Sequence, residues 1–81
     1  MPPFTLTSVY RVEFYRRNSR SSDVICCDIS KPDGVIFAHE DMPYWDELIR
    51  KLEFLGGFDV EWFLQLSQPE VERYVAFERK G

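Results

Sequence analysis

The apolar residues of this chain follow a strand pattern up to residue 38, a helical period from Trp45 and a strand pattern again from residue 70, and this succession limits the folds open to it. Tyr10, Val12 and Phe14 fall on one face of an extended segment and Arg11 and Glu13 on the other, so residues 10–16 read as a strand with one buried side. Residues 18–22 hold turn formers and no apolar side chain, which places a hairpin tip there. The nearly continuous apolar run 23–29 follows as a central strand with Ile25, Cys27 and Ile29 inward. Lys31-Pro32-Asp33-Gly34 is a turn in which proline presets φ and glycine takes the fourth place, and residues 35–38 form a short third strand.

From Trp45 the pattern is helical. Trp45, Leu48, Ile49, Leu52 and Leu55 make one apolar stripe, Pro43 suits the first turn, and Gly56-Gly57 supplies a left-handed end. Asp46 and Arg50, and Glu47 and Lys51, are spaced to pair along the exposed side. A second helix of about two turns is expected after Asp59, with Phe58 and Phe63 as a hydrophobic staple. Val60, Phe63 and Leu64 face inward in this reading, and Trp62 sits at the margin. The segment 70–80 reads as a strand in which Val71, Val75 and Phe77 share a face. The predicted order is βββααβ, an α+β fold with a small antiparallel sheet and both helices packed on one face.

Composition sets the scale. Eighty-one residues point to one domain, 1–81, which buries only about 60–65% of its unfolded surface and has a stability of roughly 5–8 kcal/mol. Thirteen aromatic residues among 44% hydrophobic ones argue against disorder, because each can bury roughly 150–250 Å². No apolar run is long enough to span a membrane. The opening Met1-Pro2-Pro3-Phe4-Thr5 has neither the basic nor the apolar part of a signal peptide, and the two cysteines are adjacent rather than spaced for bridging. The expected setting is cytoplasmic, with reduced thiols. Net charge is −4, unevenly spread: residues 1–31 hold five basic and three acidic residues, residues 32–81 five basic and eleven acidic.

Candidate chemistry is sparse. His39-Glu40-Asp41 is the one catalytic-looking cluster, and a small enzyme using His39 with a nearby carboxylate, close to Cys27, is one reading. Adjacent side chains at a strand end splay apart, however, and a structural junction is the plainer account. Cys26 and Cys27 point to opposite faces of a strand and cannot share a metal. There is no zinc-ligand spacing, phosphate loop or nucleophile elbow, so no catalytic residue, metal or cofactor is expected. Tyr15, Arg16, Arg17 and Arg20 could meet an anionic partner, including nucleic acid, by phosphate contact and base stacking. The acidic balance of the whole chain weighs against that use. The aromatic surplus between Tyr44 and Phe63 points instead to a protein-binding surface, with Tyr44, Phe54 and Trp62 as its candidates. The leading expectation is therefore a non-catalytic protein-interaction module, a homodimer or an adaptor.

Overall fold

The computed structural model describes residues 6–18 and 23–79; the expected hairpin tip and Arg20 lie outside or at the edge of these. After a short 3-10 turn at Leu6–Ser8 come strands β1 (Arg11–Asn18), β2 (Asp23–Lys31) and β3 (Gly34–His39). Helices α1 (Trp45–Leu52) and α2 (Trp62–Leu66) follow, and strand β4 (Arg73–Glu78) closes the order. The fold is α+β, as the succession of periods predicts. All pairings are antiparallel and the sheet runs β3-β2-β1-β4, so the last strand lies beside the first. Between β2 and β3 the turn at Pro32-Asp33 leads into Gly34, whose φ of +147° suits glycine, and Lys31 Nζ lies 3.2 Å from Asp33 Oδ1.

Alternation decides which side chains meet the helices. Val12 and Phe14 of β1, Cys27 and Ile29 of β2 and Ala38 of β3 share the helix side with Phe77. They pack with Leu48 and Leu52 of α1, Leu55 and Phe58 of the connection, and Trp62 and Leu66 of α2. Phe14 is the hub. Its ring meets Trp45 and Phe58 edge-on at 6.3 Å each and stacks on Trp62 at 3.7 Å. One strand residue thereby anchors both helices and the loop between them.

Several expectations are corrected. Tyr10 is exposed and Val9 fills the core at that end, because β1 begins only at Arg11. Helix α1 stops at Leu52; Leu55 is still buried, carried inward by the turn that runs to Gly57 at φ +90°. The spaced charges on α1 form no ion pair, in keeping with the weakness of exposed pairs.

Helix α2 is one turn and a fraction, and it presents the opposite side from the one expected. Trp62 and Leu66 are buried, whereas Val60, Phe63 and Leu64 are exposed, so no staple joins Phe58 to Phe63. Asp59 acts just ahead of the helix, where its Oδ1 accepts the Glu61 N–H at 2.9 Å. Just past the end of the helix, the Ser67 hydroxyl donates back to the Phe63 carbonyl.

In β4 the register shifts between Val12↔Phe77 and Glu13↔Val75, leaving Ala76 as an extra residue. The bulge turns Tyr74 and Phe77 to the helix side and Arg73 and Val75 to the other, so Val75 and Phe77 do not share a face. The Asp59 N–H donates to the Ala76 carbonyl at 2.8 Å, and the Tyr74 hydroxyl donates to the Asp59 carboxylate. These bonds tie the loop ahead of α2 to the bulged strand.

Candidate functional site

Between α1 and α2 the helix layer is open. Ile25 of β2 forms the base of the opening, Trp45 and Ile49, one helical turn apart on α1, form one wall, and Trp62 and Phe63 form the other. The groove has a volume of about 510 Å³. A second recess of about 410 Å³ shares Ile25, Glu40 and Phe63 with it and runs on to Leu66 and Ser67. At the other end a dip of about 290 Å³ shares Arg50 and Glu53 and finishes at Phe54. Sharing these residues, the three lie side by side as a shallow channel.

The channel exists because α1 and α2 are too short to cover the sheet between them. Trp45 and Ile49 are only half-buried, and Phe63 is 54% exposed. Its border is acidic: Asp23, Glu40, Asp46 and Glu53 line it, against Arg16 and Arg50. Glu40 is held in place, since its Oε1 accepts the Ile25 N–H at 3.0 Å.

Of the aromatic candidates, Phe54 is 82% exposed at the end of the channel, and Tyr44, also exposed, precedes α1. Trp62 is 6% exposed; its indole belongs to the core through Phe14, and it reaches the channel only as part of the wall. The exposed aromatic of α2 is Phe63, which the expected helix pattern turns inward. A signal for this was present: Trp62 has Leu66 four residues on, whereas Phe63 and Leu64 are followed at that spacing by Ser67 and Gln68.

The anionic-partner candidates are dispersed. The Tyr15 hydroxyl donates to Asp28 at 3.3 Å, and the Arg73 guanidinium lies 4.4 Å over its ring. Burial and the Asp28 charge push the Tyr15 hydroxyl pKa up. Arg73 also makes a forked pair with Glu13, at 3.0 and 3.3 Å, and reaches Asp28 at 3.6 Å. Arg16 points to the helix side, where its Nη2 donates to the Val71 carbonyl at 2.8 Å and to that of Gln68 at 3.3 Å. Arg17 is exposed, and Arg20 is outside the described residues. Tyr15 and Arg16 thus face opposite sides of the sheet and bind their own chain.

The catalytic reading fares similarly. Cys27 pairs with Ala38 and faces the helices, while His39 lies across from Cys26 on the open side. The sheet separates His39 from Cys27, and Glu40 is bonded to the Ile25 amide. Burial drives the Cys27 thiol pKa far up and also raises that of Cys26, so neither favours a thiolate. Among the described residues, no three His, Cys, Asp or Glu side chains gather to hold a metal, and no helix is long and apolar enough to cross a membrane. No family model, curated protein or solved structure matches the chain.

Proposed function

We propose that the chain is a small protein-interaction module, an adaptor that holds a basic amphipathic helix of a partner protein in the channel between α1 and α2. The observation that carries this reading is an open apolar groove, with Ile25 at its base and half-buried Trp45 and Ile49 and exposed Phe63 in its walls, bordered by four carboxylates and two guanidinium groups. One of those cations, Arg16, is already bonded to two carbonyls. An apolar strip flanked by net negative charge suits a helix with apolar residues one turn apart and Lys or Arg beside them. Desolvating Trp45, Ile49 and Phe63 supplies the affinity, and the acidic border sets orientation and partner choice. Unpaired Cys26 and Cys27 favour a reducing, cytoplasmic setting for such a module.

The test uses two synthetic helical peptides with the same leucine spacing, one bearing Lys beside the leucines and the other Glu. The Lys peptide is expected to bind, to shift the NMR signals of the Trp45 and Trp62 indoles, and to weaken as salt is raised. Ile49→Glu and Phe63→Ser are each expected to weaken it by about tenfold or more, the scale of a lost anchor. Equal binding of both peptides, or signals shifting on another surface, would overturn the reading.

A further inference from the structure

The two edges of the sheet are built differently. The β4 edge carries Arg73 and Glu78, is bent by the bulge at Ala76, and has the Ala76 carbonyl taken by the Asp59 N–H. Charges, bulges and covering contacts are the usual means by which an edge strand is kept from pairing with another chain. The β3 edge has no charge or bulge along its length, and its one covering contact is Met42 at the His39 end. Gly34-Val35-Ile36-Phe37-Ala38-His39 contains no charged residue, no proline and no bulge, and Val35 and Phe37 are 62% and 46% exposed.

The hydrogen-bond parity of β3 shows which groups this edge offers. The Glu40 N–H donates to the Ile25 carbonyl at 3.0 Å, so the even-numbered residues of this strand face β2. The odd-numbered ones therefore direct N–H and C=O outward. His39 bears this out: its N–H donates to Met42 Sδ at 3.3 Å and its carbonyl accepts the Met42 N–H at 3.1 Å. Met42 closes the edge at that end. What is left is the N–H and C=O of Val35 and of Phe37, a short and uncharged ladder.

We infer that β3 pairs antiparallel with β3 of a second copy of this chain, in the register that sets Val35 of each copy against Phe37 of the other. A two-fold axis perpendicular to the sheet keeps the helices of both copies on one side, which requires paired residues of like parity. Two such registers lie near the centre of the strand. One sets Phe37 against Phe37 and Val35 against His39, whose groups Met42 already holds. The other sets Val35 against Phe37 twice, with Ile36 meeting Ile36 on the axis, and satisfies all the outward groups at once. Its cross-strand pairs on the open face are aromatic against β-branched, a favourable combination, and no like charges oppose. The joined sheet has eight strands and ends at both sides in the protected β4 edge. This surface is separate from the channel between the helices and leaves it free.

The test is sedimentation velocity of the whole chain from micromolar to millimolar concentration, with two double variants. Wild type is expected to show a reversible dimer. Val35→Lys with Phe37→Lys places ammonium groups opposite one another and is expected to be monomeric throughout. Val35→Lys with Phe37→Glu sets each ammonium against a carboxylate of the other copy in this register only, and is expected to dimerise with added salt sensitivity. Circular dichroism checks that each variant is folded, and the exposure of both side chains favours that. A wild type monomeric at millimolar concentration overturns the inference. So does a dimer that survives the double lysine change, or one that the Lys/Glu variant fails to restore.

Discussion

The ring of Phe14 lies flat on the indole of Trp62, with centroids 3.7 Å and planes 7° apart. A β1 side chain and the first residue of α2 are thereby joined across most of the chain length. Trp62→Ala is expected to destabilise the fold by about 3–5 kcal/mol, because it removes a large buried ring and leaves a cavity over Phe14. Against a total of roughly 5–8 kcal/mol this brings the protein close to unfolding at room temperature. A double-mutant cycle of Phe14→Leu and Trp62→Leu in urea is expected to give a coupling of about 0.5–1.5 kcal/mol. Additive losses would mean that the stack contributes nothing beyond burial.

Arg16 reaches from β1 to the carbonyls of Gln68 and Val71, in the stretch that links α2 to β4. The Gln68 carbonyl also accepts the Val71 N–H at 3.1 Å, so the main loss falls on the Val71 carbonyl; Arg16→Ala is expected to cost about 1–3 kcal/mol and to speed amide exchange selectively over residues 68–73. Arg16→Lys keeps a cation with several donors on a shorter side chain and is expected to restore part of the protection. Uniform exchange across the chain in Arg16→Ala would contradict a local strap.

On the open side of the sheet, the Arg73 guanidinium bonded to Glu13 holds that carboxyl below its ordinary pKa, with the Arg11 charge acting the same way. A depressed folded-state pKa contributes stability above the unfolded value, and that stability is lost as pH falls through the folded value. The loss is therefore expected below about pH 4.5. Asp59, which accepts the Tyr74 hydroxyl and the Glu61 N–H, is depressed as well and adds to the same acid limb. Urea midpoints followed from pH 7 to pH 2 should fall along this limb, and Glu13→Gln should flatten it. An unchanged slope in Glu13→Gln would show that the pair does not set the acid response.

Both thiols are buried, and burial raises both pKa values, that of Cys27 far more. In the native protein at pH 8 neither is expected to react quickly with an aromatic disulfide reagent, and both should react at once in denaturant. Partial opening should release Cys26 first, because it lies on the face without helices and Cys27 lies beneath them. Simultaneous release would show that the two become accessible only on global unfolding.

The strands and α1 were legible because each carries enough residues for its period to be read, as in Tyr10 to Phe14 and Trp45 to Leu52. The channel was half legible. Phe54 and Tyr44 could be placed off the main stripe of α1, but Trp62 and Phe63 exchanged roles, since a five-residue helix holds too little pattern to tell one side from the other. In β4 the bulge at Ala76 reversed the parity after Val75, which alternation alone cannot foresee. Arg16 and Tyr15, adjacent in a basic run, turned out to serve opposite sides of the sheet.

Local order alone determined the kinds of element and their succession, because these depend on neighbours within a few residues. Tertiary contact decided which side of α2 turns inward, how β4 meets β1, and where Arg16 spends its hydrogen bonds. Each of those choices is settled by a group more than forty residues away, Phe14 for Trp62, Val12 for Phe77 and Arg16 for Val71, whose position becomes defined only when the sheet has closed.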